Sequence, residues 1–170
     1  MAFVGFTSGT TSGKPLVSYF SPVAHYFFEP SLGIPITRAL ITYPPLNKNF
    51  SASFIQQCRQ AERKITPVFA DYQNLPNSAV IARETRVDAI YATPTIAGNL
   101  GEYIGKFYEP RDIKLLALSS ETLTPTKRNL LTQLYPNAVI ANLYASSEIG
   151  QFILYPCTHI LGQNGPAFHF

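Results

Sequence analysis

Apolar residues along this chain fall in short runs separated by polar, glycine-bearing or proline-bearing stretches. Residues 2–6 form a brief apolar run that predicts a buried strand. It leads directly into Thr7-Ser8-Gly9-Thr10-Thr11-Ser12-Gly13-Lys14-Pro15, which is loop chemistry. The apolar pattern resumes over 16–20 and predicts the second arm of a hairpin. Ser21-Pro22 has the cap and first-turn residues of a helix. Residues 38–43 read as a strand closed by Pro44-Pro45. A helix capped by Ser51 or Ser53 runs to Lys64, with Phe54, Ile55, Cys58 and Ala61 at helical spacing. A short strand over 68–72, a helix over 77–86 and a strand over 87–93 follow. Residues 95–107 again have helical spacing, weakened by Gly98, Gly101 and Gly105. Residues 113–118 predict a strand. Thr124-Pro125 opens a helix through Leu134, and Pro136-Asn137 turns the chain into a strand over 138–144.

Strands alternating with helices predict an α/β layer with a mostly parallel sheet flanked by helices. No internal repeat interrupts that alternation. The tail from 162 to 170 carries Gly165-Pro166 and no closing element, so it reads as a cut edge.

Composition narrows the function classes. The chain has 170 residues, 46% hydrophobic and 14% charged, enough apolar content for a substantial core and unlike a disordered segment. The net charge of +3 has no strong cluster. Arg59, Arg63 and Lys64 are interrupted by Glu62 and read as a solvated helix face, so no nucleic-acid partner is expected. Cys58 and Cys157 form no C-x-x-C pair, and His25, His159 and His169 have no zinc-ligand spacing. Two free thiols in a reducing compartment is the simpler reading. The N-terminus has no basic region before its apolar residues. No apolar run is long enough for a membrane span. Cytoplasmic location is the resulting expectation.

The segment 7–15 is the strongest local signal. Glycine lets backbone amides converge on an anion, while hydroxyls and a lysine add donors and charge. A flexible Ser/Thr/Gly turn between two strands would have the same composition. A Walker A loop would need a glycine five positions before Gly13, where Ser8 stands. It would also need a hydroxyl residue after Lys14, where Pro15 offers neither hydroxyl nor amide hydrogen. A P-loop NTPase is therefore disfavoured.

Phe6-Thr7-Ser8-Gly9-Thr10-Thr11 resembles the phosphate-binding motif of the adenylate-forming superfamily, [YF]-T-S-G-T-T-G-x-P-K. That superfamily includes acyl-CoA synthetases, peptide-synthetase adenylation domains and luciferase. Ser12 stands as an insertion before Gly13-Lys14-Pro15, and Leu16 replaces the final lysine. The Ser-Gly-Thr-Thr-Ser-Gly-Lys form is similar to the auxin-amido synthetase branch. Three later segments follow in the family's order. Residues 86–94, ending in Thr93-Pro94, look like its strand with a terminal Thr-Pro or Val-Pro pair. Ser119-Ser120-Glu121-Thr122-Leu123 is similar to G-G-E-x-L, with both glycines replaced. Asn142-Leu143-Tyr144-Ala145-Ser146-Ser147-Glu148 is similar to N-x-Y-G-x-T-E.

The resemblance implies a fold: the incomplete core of an acyl-CoA-synthetase-like N-terminal domain, with 1–170 as one partial domain. It implies that an N-terminal subdomain, a later ribose-binding aspartate and a C-terminal lid with a catalytic lysine lie outside this chain. It also implies a reaction, in which a carboxylate attacks the α-phosphate of ATP and a thiol or amine then takes the acyl group from the adenylate. CoA or a carrier protein would be such an acceptor. ATP and Mg²⁺ are the implied cofactors. Thr7, Ser8, Gly9, Thr10, Thr11, Ser12, Gly13 and Lys14 would hold phosphates. Ser119, Ser120 and Glu121 would lie along the adenine, and Tyr144 would stack on it. Ser147 would face the phosphates, and Ser146 would belong to the same nucleotide site. Glu148 would hold Mg²⁺, and Thr7 and Glu148 are the candidate catalytic residues. The acyl pocket stays unassigned around Leu46-Asn47-Lys48-Asn49-Phe50. Two alternatives stand beside an inactive or weakly active ligase fragment: a non-catalytic nucleotide-binding module and a decayed gene fragment.

Overall fold

The computed structural model describes residues 3–6, 17–20, 33–42, 65–107, 112–142, 144–146 and 152–154. The helices expected at Ser21-Pro22 and over 51–64, the loop over 7–15, Ser147, Glu148 and the tail lie outside them.

The centre is a five-stranded sheet built from β3 (Arg38–Ile41), β4 (Thr66–Phe69), β5 (Ala89–Ala92), β6 (Leu115–Leu118) and β7 (Val139–Asn142). Its order is β4-β3-β5-β6-β7, and every pairing is parallel. Helices α1 (Leu75–Thr85), α2 (Pro94–Phe107) and α3 (Pro125–Leu134) connect successive strands from β4 onward. The α/β class and parallel sheet expected from the alternation are both present. Outside this sheet, β1 (Phe3–Phe6) and β2 (Val17–Phe20) form the expected antiparallel hairpin, with Phe6 opposite Val17. Residues 7–16 therefore join its two arms.

All four residues of β5 and all four of β6 are buried. Strands covered on both faces read as continuous apolar runs, which is why 89–92 and 115–118 lack alternation. One face, with Leu40, Ile90, Leu116 and Ile140, packs with Ala97, Leu100, Ile104 and Leu131 of the helices. The other face carries Ala39, Ile41, Tyr91 and Ala117, also buried. Between α2 and α3, the buried Tyr135 hydroxyl donates to the Ala97 carbonyl at 2.9 Å. A Cβ added to Gly101 would sit 3.0 Å from Tyr135 Cε2 and from Leu134 Cδ1. The glycine is what lets the two helices approach there.

Several boundaries differ from expectation, and those of β4, α1 and the last sheet strand have local causes. β4 begins at Thr66 and stops at Phe69. Pro67 is tolerated because β4 is an edge strand, where one missing donor faces no partner. Asp71 and Tyr72 belong to a turn, with Asp71 Oδ1 accepting from the Gln73 amide at 2.8 Å. Helix α1 starts at Leu75, capped by Asn74, whose Oδ1 accepts from the Asn77 amide at 3.3 Å. It ends at Arg86 in the left-handed region (φ 51°), whose amide donates to Ala82 and Arg83 carbonyls. The last sheet strand stops at Asn142, and β8 (Tyr144–Ser146) pairs with β9 (Phe152–Leu154) in a separate antiparallel ribbon.

The amino-terminal edge of the sheet is pinned by Asp88. Its carboxylate accepts from the Thr37 amide and hydroxyl, both at 3.0 Å, and from the Arg38 amide at 2.9 Å. Lys114 Nζ lies 3.4 Å away and also donates to the Pro35 carbonyl at 3.2 Å. A nearly buried acid is stable there because its carboxylate is surrounded by donors.

Candidate functional site

The strand order reverses at β3. The chain goes from β3 outward to β4, then back past β3 to β5 and onward. Crevices at the carboxyl ends of strands flanking such a reversal are where open α/β sheets bind ligands. Here that edge lies beyond Ile41 of β3 and Ala92 of β5.

Its residues are small and hydroxyl-bearing. Thr42 is buried and donates through its amide and hydroxyl to the Tyr91 carbonyl, at 3.1 and 3.2 Å. Thr93 caps α2, its Oγ1 accepting from the Ile96 amide at 3.3 Å. Pro94 fills the first helical position, where no amide partner is needed. One strand further, the buried Ser119 donates its amide to the Ala92 carbonyl at 3.2 Å. Ser120 follows with φ 66°, in the left-handed region. Residues other than glycine, asparagine and aspartate seldom adopt it. The backbone here has a glycine-like conformation around a serine.

Glu121 turns back to α2. One carboxylate oxygen accepts from the Thr95 amide at 2.9 Å, the other from the Thr95 hydroxyl and from Lys127 Nζ. Lys127 Nζ is also 3.1 Å from Thr95 Oγ1. Partial burial pushes the Glu121 carboxyl up. The hydrogen bonds from Lys127 and Thr95, with the lysine charge, outweigh that and hold it at about 2. Both oxygens are thus engaged within the protein.

Lys127 itself stands in the first turn of α3, whose cap Thr124 accepts from the Lys127 amide at 3.3 Å. A cation at the positive end of a helix is unfavourable alone, and Glu121 offsets it. Sequence reasoning did not single out Thr95 or Lys127. The signal was present: a lysine three residues after a Thr-Pro cap, six after an acid, asks for a carboxylate partner.

Of the residues expected from sequence, Ser119, Ser120 and Glu121 stand together at this edge, beside Thr93 and Thr95. Tyr144 and Ser146 lie in β8, which starts two residues after the end of β7, the neighbour of β6. Thr7, Ser8, Gly9, Thr10, Thr11, Ser12, Gly13, Lys14, Ser147 and Glu148 lie outside the described residues. Among the described residues no group of three or more His, Cys, Asp or Glu could hold a metal ion. None of the described helices is long and apolar enough to cross a membrane.

The sheet and its flanking helices match the N-terminal domain of adenylate-forming (ANL) enzymes, a fold seen in AMP-forming ligases. Among solved structures, the chain is similar to a 2-hydroxyisobutyryl-CoA ligase in complex with 2-HIB-AMP and CoA in its thioesterification state. There the TM-score is 0.71 and the identity 20%, over 91% of this chain and 35% of that one. It is similar to VinN in complex with L-aspartate at TM-score 0.68 and 17% identity, over 95% of this chain and 41% of that one. A long-chain-fatty-acid-CoA ligase from Archaeoglobus fulgidus gives TM-score 0.68 and 13% identity, over 93% of this chain and 34% of that one. The chain thus spans between a third and just over two-fifths of the length of these structures. No protein-family model matches the sequence. No curated protein matches it either.

Proposed function

We propose that this chain is the central part of the large domain of an AMP-forming carboxylate ligase and that it binds ATP at the carboxyl edge of its sheet. The observation that carries this reading is the meeting of Thr93–Thr95 and Ser119–Glu121 at the edge beside the strand reversal, in a fold shared with AMP-forming ligases. The edge suits an adenosine nucleotide: its exposed turn offers small hydroxyl side chains and leaves the backbone approachable. ATP supplies an activated phosphoryl centre for a carboxylate to attack.

The chain's own residues would then divide the work. Thr7, Ser8, Thr10, Thr11 and Lys14 supply hydroxyls and positive charge to the β- and γ-phosphates, with Gly9, Ser12 and Gly13 allowing close backbone approach. The turn at Ser119 and Ser120 lies along the adenine, and Tyr144 stacks on it. Ser147 faces the phosphates, Ser146 belongs to the same nucleotide site, and Glu148 holds Mg²⁺, a hard cation that takes oxygen ligands. Positioning and charge stabilisation are the main contributions such a site makes to transfer of the adenylyl group from ATP to a carboxylate oxygen, with pyrophosphate leaving. The acid is a carboxylic acid, and the acceptor a thiol or amine.

Equilibrium dialysis with labelled ATP, with and without Mg²⁺, tests the reading. Glu148→Gln is expected to weaken Mg²⁺-dependent binding. Equal binding by the two proteins would count against the assignment. Pyrophosphate release over a panel of carboxylic acids separates turnover from nucleotide binding alone.

A further inference from the structure

We propose that Thr95, Glu121 and Lys127 form a positioning clasp that holds the Ser119–Ser120 turn in the geometry an adenine-bearing ligand needs. The inference rests on the nucleotide reading above and adds residues to it.

Three observations converge. Ser120 is strained at φ 66°, so its turn needs tethers on both sides to persist. On one side, the Ser119 amide is tied to the Ala92 carbonyl of β5. On the other, Glu121 bonds the amide and hydroxyl of Thr95 at the start of α2. Lys127, from the first turn of α3, closes the arrangement by donating to both Glu121 and Thr95. The strained residue is thus bracketed by contacts to β5, α2 and α3, the elements that form this edge. Lys127 gains nothing from its own helix end, so its value lies in the clasp. The Glu121 carboxylate accepts from the Thr95 amide, the Thr95 hydroxyl and Lys127. It acts through the turn that precedes it and is a positioning residue.

The test combines amide hydrogen exchange with equilibrium dialysis of labelled ATP on the 170-residue chain and on Glu121→Gln, Lys127→Met and Lys127→Arg. Exchange at residues 119–123 should rise about tenfold in Glu121→Gln and Lys127→Met, the size expected for one charge-assisted hydrogen bond. Exchange in β5 and β6 should stay unchanged, which excludes general unfolding. ATP affinity should fall about tenfold in the same two variants. Lys127→Arg should restore both readouts. Unchanged exchange in Lys127→Met would show that no clasp exists. Faster exchange with wild-type ATP affinity would show a clasp that positions nothing. If the wild-type chain bound no ATP, the nucleotide reading and the positioning role would fall together, while exchange would still report whether the clasp exists.

Discussion

Gly101 and Gly105 lie one turn apart on α2, and the same substitution at the two should have opposite signs. In a helix interior, alanine is favoured over glycine by about 1 kcal/mol. At Gly105 nothing lies within 4 Å of an added Cβ, so that gain is realised in full. At Gly101 the added carbon would meet Leu134 Cδ1 and Tyr135 Cε2 at 3.0 Å and Tyr135 Cζ at 3.1 Å. Leu134 can move, but Tyr135 is buried and held by its bond to the Ala97 carbonyl, so the ring cannot retreat without losing that bond. Overpacking of this kind costs about 1–3 kcal/mol. The net for Gly101→Ala is a loss of about 1 kcal/mol, and the two variants should differ by about 2 kcal/mol. Urea unfolding of the 170-residue chain reads this as a lower midpoint for Gly101→Ala and a higher one for Gly105→Ala, with equal slopes. Gly101→Ala matching Gly105→Ala in stability would refute the close approach of α2 and α3.

Other perturbations test single contacts. Glu121 has its carboxyl lowered from 4.5 to about 2. Its stabilisation is therefore complete above pH 4.5 and lost as pH falls toward 2. Its side chain is 30% exposed, so solvent screening reduces the contribution to about 1 kcal/mol. Acid titration of stability should show that loss in the wild type and not in Glu121→Gln. Ser120→Gly should raise the unfolding midpoint, because relief of about 1–2 kcal/mol of left-handed strain exceeds the added chain entropy. Ser120→Val should lower it. Tyr135→Phe removes a buried hydrogen bond and should cost about 1 kcal/mol in denaturant unfolding. Burial pushes the Tyr135 phenol far above its ordinary range. Its neutral form therefore stabilises the fold fully below pH ~10, and that contribution is lost as pH rises beyond it. Alkaline spectrophotometric titration should show Tyr135 ionising only on unfolding.

Much of the sheet was legible because apolar runs, prolines and caps coincide. β5, β6 and α3 fell where 87–93, 113–118 and the Thr124-Pro125 cap placed them. β4 begins two residues before the expected 68, and its position at the end of the strand order is what lets Pro67 lie within it. The end of β7 at Asn142 was invisible for a different reason. β7 and β8 follow each other closely in sequence with no polar turn signal between them, so 138–144 read as one strand. At the candidate site, local motif order pointed to Ser119, Ser120 and Glu121, which stand at the carboxyl edge beside Thr95. Motifs name positions but not contacts. The Glu121 carboxylate bonds Thr95 and Lys127, partners 26 and 6 residues away. No periodicity encodes such pairings.

Photolabelling with 8-azido-ATP, followed by peptide mapping, tests the central claim most directly. The adenine ring carries the reactive group, so the label reports where the base rests. Labelled peptides should contain residues 119–123 or Tyr144, and unmodified ATP should suppress the labelling. Label that is insensitive to ATP, or that falls at the opposite edge around Thr37, Arg86 and Lys114, would contradict a nucleotide site at the carboxyl ends of the strands.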